Sequence, residues 1–308
     1  MKTKIDNILD GLSGIGTFST VVQQINTMLL DDDVSIRKVA DLVEKDSSIT
    51  ATVLRLANSS YYGLSKKVTT IHVAITVLGL NTIRNIITTV SLCSLFRKAK
   101  TDIFDIRDLW WHSLGSAVCA KSLVGKAPVE TGEMAFVCAL IHDIGKVLIY
   151  QSLSGDMERI IARVKERKDE SLIDIETEIL GFSHARIGSE LARRWRFPDM
   201  YVDVIRFHHH PDVLMKKADS DHNRPEDSPD SSASTKGLVA SGRLVGPAVY
   251  AANQMAKVFA FGKSTDEKAK TIDDALWDMT GIPLDEVPSI ISKIYNEFNL
   301  MKTSWNLG

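Results

Sequence analysis

The sequence predicts an all-α protein, and three observations carry that expectation. Apolar residues recur at the three-and-four spacing of a helix face along most of the chain. Strand-type alternation is hard to find. Residues that cap and stop helices stand where the periodic runs begin and end. At 308 residues, 44% hydrophobic and 25% charged, the chain has the composition of a folded protein and the length to bury a real core.

The elements follow in order. Residues 47–56 place Ile49, Val53 and Leu56 on one helix face, and Asn58, Ser59 and Gly63 read as the stop and turn. Asn81 reads as the N-cap of a helix carrying Ile83, Ile86, Ile87 and Val90 on one side. Residues 108–125 form a helix opened by an acidic residue and closed by glycine. Residues 133–150 are apolar nearly all round, which predicts one helix at the centre of a domain. A helix over 183–195 is capped by Ser183 and stops before Pro198, and the next runs from Asp199 until Pro211 ends it. Residues 216–236 are rich in Ser, Asp and Pro and poor in large apolar side chains, so they read as a mobile polar loop. A helix resumes over 244–262, beginning near Pro247, and the tail reads as two short helices around Gly281-Ile282-Pro283.

Several function classes recede on composition. Thirty-seven Lys and Arg against 39 Asp and Glu leave a net charge of −2, which argues against a protein that coats DNA. Cys93, Cys119 and Cys138 form no CxxC pair and read as reduced core thiols in a cytoplasmic protein. The first residues lack the apolar core of a signal peptide, and no run approaches the ~18 apolar residues of a membrane span. There is no Walker loop, GxGxxG or serine elbow; Gly11, Gly14 and Gly16 follow no strand. Arg193, Arg194 and Arg196 around Trp195 form either a solvated helix face or a patch that steers anions.

The histidines carry more. His112, His142 with Asp143, His184, and His208 with His209 fall on four predicted helices. Imidazole and carboxylate suit divalent zinc, manganese or iron, and Asp143 beside His142 could bridge two ions. The structural alternatives are hydrogen-bonded core histidines and an i,i+3 ion pair between Asp143 and Lys146. A carboxylate buried within CALIHDIGKVLI needs one partner or the other.

The order His112, His142-Asp143, His184, His208-His209 resembles the HD phosphohydrolase superfamily. LRLANSSYYG, AITVLGLNTIRN, LWWHS, LIHDIGK, GFSHARIGSELARRW and IRFHHHP narrow this to the HDOD domain, an output domain of bacterial signalling proteins. The similarity runs from about Gly14 to Pro211 and more loosely beyond. It implies two helical subdomains, the second an HD-type bundle: residues 1–105 as the N-terminal half, 106–215 as the metal-site bundle, 216–240 as the polar insertion and 241–308 as helices completing the bundle. It also implies one or two divalent ions (Fe, Mn or Zn) held by His112, His142, Asp143, His184, His208 and His209. Catalytic relatives add a distant aspartate; VYAANQMAK offers Asn253 there, with Asp266 and Asp273 as alternatives. An amide brings no charge, and no GYP follows the paired histidines, which weighs against nucleotide hydrolysis. The expectation is therefore a signal-transduction module that binds metal and acts through a signalling protein or a small anionic or nucleotide ligand. The alternatives are a metal-dependent phosphohydrolase using Asp143 and Lys146, and a scaffold without metal.

Overall fold

The computed structural model describes residues 3–11, 20–28, 34–98, 105–167, 169–222, 233–263, 269, 272, 274–278 and 280–305. Among them are α-helices and no strand, as expected. The helices are α1 (Lys4–Gly11), α2 (Thr20–Met28), α3 (Ile36–Glu44), α4 (Ser47–Ala57), α5 (Ile71–Leu78), α6 (Leu80–Lys98), α7 (Ile106–Leu123), α8 (Val129–Ile141) and α9 (Ile144–Ser152). They continue as α10 (Ser154–Glu166), α11 (Leu172–Leu180), α12 (His184–Arg194), α13 (Asp199–Phe207), α14 (Pro211–His222), α15 (Ala233–Val258), α16 (Asp274–Asp278) and α17 (Val287–Trp305).

Short polar side chains start many of these helices by accepting amide protons that have no intrahelical partner. Asp46 accepts from Ser48 and Ile49, Thr70 from Val73, Asp105 from Arg107, Ser171 from Asp174 and Ser183 from Arg186. Each such cap stabilises its helix by about 1 kcal/mol.

Helices α7, α8 and α15 pack on one another at the centre, with α9, α12, α13 and α14 around them. Every residue of α8 from Thr131 onward is buried, and α9 is buried from Ile144 through Tyr150. Helices α2 to α6 pack largely among themselves, and α6 joins them to α7 and α8. That junction is polar: Asn85 on α6 donates to the carbonyl and carboxylate of the buried Glu133 on α8, and Lys121 on α7 pairs with the same carboxylate at 2.6 Å. Helix α1 is tied to α12, where Arg194 pairs with Asp10 at 2.6 Å and Asp6 at 3.1 Å.

The structure revises several boundaries. The helix expected over 133–150 is broken at His142 and Asp143, where the backbone turns between α8 and α9. Apolar periodicity does not register such a break, because both flanks stay buried. Asn81 is inside α6 rather than its cap; the chain enters that helix from Gly79, whose φ of 84° suits glycine. Helix α14 continues to His222 and α15 starts at Ala233, so both ends of the expected 216–236 loop are helical; 223–232 lie outside the described residues. Pro247 is therefore inside α15 rather than near its start. The tail helix α17 is long, at 19 residues.

Candidate metal centre

The turn between α8 and α9 presents His142 and Asp143 to the middle of the bundle. Helix α9 can approach α12 closely because both carry glycine at the crossing. A Cβ on Gly145 would stand 1.9 Å from the His184 carbonyl oxygen, and one on Gly188 would stand 3.2 Å from the Gly145 nitrogen. This crossing sets His184, the first residue of α12, against Asp143. His112 comes from α7, Asn253 from α15, and His208 and His209 from the end of α13.

The Asp143 carboxylate is fully buried, and its two oxygens face two different sets of imidazoles. Oδ2 lies 3.2 Å from His142 Nε2 and 3.8 Å from His112 Nε2. Oδ1 lies 3.3 Å from His184 Nε2 and 3.6 Å from His208 Nε2. His209 Nε2 is 3.1 Å from His184 Nε2, and Asn253 Oδ1 is 3.1 Å from His112 Nε2. Lys146 Nζ, one turn along α9, donates to Asp143 Oδ2 at 3.0 Å. The structure thus brings together all seven residues singled out from the sequence, and the ion pair offered as the alternative is present beside them. Asp266 and Asp273 lie outside the described residues.

Hydrogen bonds on the far side of the rings orient them. His142 Nδ1–H donates to the Ala139 carbonyl at 2.6 Å, and His208 Nδ1–H to the Ile205 carbonyl at 2.7 Å. With the proton on Nδ1, each Nε2 turns a lone pair toward Asp143. His142 Nε2, His208 Nε2 and Asp143 Oδ1 are buried without a hydrogen-bond partner. Acceptors facing acceptors in a buried site repel unless a cation lies between them. This donor set fits a divalent metal: the atoms of Asp143, His184, His208 and His209 lie within 4.8 Å of one another, as do those of His112, His142 and Asp143. The neutral rings of His208 and His209 and an ionised Asp143 are also what ligation requires, whereas His184 must give up a proton to it. Burial lowers His208 to about 3, and it likewise holds His209 well below the usual range. Burial works to raise Asp143, but the side chains around it, the Lys146 ammonium among them, outweigh it and hold the carboxyl well below its ordinary value.

One residue of the site escaped the sequence reading. Glu176 on α11 is fully buried, and its Oε2 accepts from both the backbone N–H and Nδ1–H of His184, each at 2.7 Å. Burial works against a charged His184, yet Glu176 raises it to about 9. The signal was available: Glu176 lies between Leu172 and Leu180 at four-residue spacing, an acid within the apolar stripe of its helix. Arg194 pairs with Asp6 and Asp10, and Arg193 with Glu190 at 2.6 Å. Trp195 is buried and Arg196 is exposed, and two of the three arginines of this cluster are thus paired with acidic side chains.

The HDOD domain family model matches residues 15–211. The chain belongs to the HDOD family. An HDOD domain protein from Geobacter sulfurreducens has the same fold, with a TM-score of 0.71 at 24% identity, over 99% of this chain and 98% of that one. A candidate phosphohydrolase of Shewanella amazonensis SB2B superposes with a TM-score of 0.61 at 23% identity over 97% and 92% of the two chains. A candidate signal transduction protein of Marinobacter aquaeolei VT8 gives 0.66 at 18% identity over 100% of this chain and 62% of its own. An uncharacterised protein of Treponema pallidum (strain Nichols) is 24% identical over 205 residues, and this HDOD chain spans 39% of its length. No single helix among the described residues is long and apolar enough to cross a membrane.

Proposed function

We propose that this HDOD protein is a regulatory module of bacterial signal transduction that holds a divalent metal and acts by binding a partner rather than by turnover. The observation that carries the metal half is Asp143, whose two oxygens face separate histidine pairs with no hydrogen-bond donor on Oδ1. A metal there would be held by Asp143 with His184, His208 and His209 on one side, and with His112, His142 and Asn253 on the other. It would supply fixed positive charge in a buried site. The regulatory half rests on HDOD membership and on a catalytic centre that is incomplete in charge. Asn253 offers a neutral oxygen at the position where a hydrolase would use a carboxylate, so two cations there would repel with less to offset them.

A phosphohydrolase is the second reading. It is favoured by the near-complete ligand set and by Lys146, a buried ammonium beside the cluster that could meet a phosphate oxygen. Hydrolysis of bis(p-nitrophenyl) phosphate with added manganese separates the two. The regulatory reading expects turnover at background in the unmodified chain, with higher metal stoichiometry and slow hydrolysis appearing in Asn253→Asp. Robust hydrolysis by the unmodified chain, lost in His142→Ala, would establish the enzyme instead.

A further inference from the structure

We propose that Glu176 is a positioning residue that makes the side of the cluster formed by His184, His208, His209 and Asp143 Oδ1 the tighter of its two cation positions. The inference rests on the metal-binding reading above and assigns an order to its two halves.

The two sides differ in what stands behind the ligands. His184 is gripped twice by one carboxylate oxygen: Glu176 Oε2 accepts from its backbone N–H and from its ring Nδ1–H, both at 2.7 Å. Ring rotation and tautomer are fixed together, and the Gly145–Gly188 crossing leaves α12 no room to shift toward α9. A carboxylate behind a ligating imidazole raises its basicity, and losing such a partner weakens metal affinity about 10–100-fold. Glu176 is fully buried, and its other oxygen, Oε1, has no hydrogen-bond partner. Its negative charge stands behind His184 in the low-dielectric interior, where a cation beyond the ring would feel it.

On the opposite side the support is neutral or repulsive. His142 leans on the Ala139 carbonyl, which carries no net charge, and Asn253 supplies an amide oxygen. The Asp143 oxygen on that side already holds the Lys146 ammonium at 3.0 Å, and Lys146 is itself only 1% exposed. A cation entering there must share Oδ2 with a positive charge. The Lys146 charge reaches His184 and His209 as well, but on the first side Asp143 and Glu176 together outweigh it, whereas on the second Asp143 and Lys146 nearly cancel.

Zinc titrated into the metal-stripped full chain against a competing chelator, with crystals grown at one zinc equivalent, tests this. The anomalous peak should fall among His184, His208 and His209, and Glu176→Gln should weaken the first equivalent 10–100-fold while leaving the second unchanged. Glu176→Asp, which keeps the charge, should fall between the two. A first zinc between His112 and His142, or a first equivalent of unchanged affinity in Glu176→Gln, overturns the assignment while leaving metal binding intact. A wild-type chain that takes up no zinc overturns both readings. If Glu176→Gln does not fold, the peak position in wild-type crystals decides.

Discussion

Asp143 and Lys146 show how a buried charge is made tolerable at the scale of single residues. An ionised carboxylate with no exposure is costly, and here an ammonium one helical turn away offsets part of that cost. Asp143 and Glu176 still outnumber Lys146 by one formal negative charge, which a metal or a protonated His184 must balance. Lys146→Met should therefore destabilise the metal-free protein by about 3 kcal/mol, since it leaves the carboxylate without its ammonium. Added zinc should recover more stability in this variant than in wild type, because binding to the folded state alone adds stability by mass action. Thermal melts with and without zinc check both halves. An unchanged melting temperature without metal would show that the ion pair contributes nothing.

At the scale of elements, the site depends on two helix ends and one close crossing. His142 and His208 each stand at a helix C-terminus, and each ring donates to the carbonyl three residues back, so the same bond finishes the helix and aims Nε2 inward. Gly145 allows α9 to touch the first turn of α12. Gly145→Ala would drive a Cβ into the His184 carbonyl, and overpacking of this kind costs about 1–3 kcal/mol. Because the displaced element carries His184, zinc affinity should fall together with stability; circular dichroism and the chelator titration read the two separately. Stability lost with zinc affinity intact would mean that the crossing does not position the site.

Much of this was legible in the sequence. The periodic faces of α4 and α6 and the Ser183 cap were visible, and the six His and Asp positions were recognisable by residue type and order. The break at His142-Asp143 was not, because a run apolar on every side gives periodicity nothing to interrupt. Nor was Glu176, because one acid among the three in DIETEIL looks like solvent-facing charge until its helix is docked.

At the scale of the whole molecule, the cluster is assembled from α7, α9, α12, the end of α13 and α15, and from the turn before α9, which are far apart in the chain. The metal-facing atoms can converge only when the bundle is closed. Helix α6 links this bundle to α2–α5 through the Asn85–Glu133–Lys121 contacts, so the two halves share one buried polar joint. A metal held at the centre would brace helices that a partner could engage from outside. The closed bundle should hold a divalent transition-series metal or zinc. Elemental analysis of the full chain, purified without chelator and compared with His142→Ala prepared in parallel, tests it most directly. We expect at least one equivalent of iron, manganese or zinc per wild-type chain and a clear loss in the folded variant. Wild-type protein that carries no metal, and takes up none from any of the three salts, would contradict it.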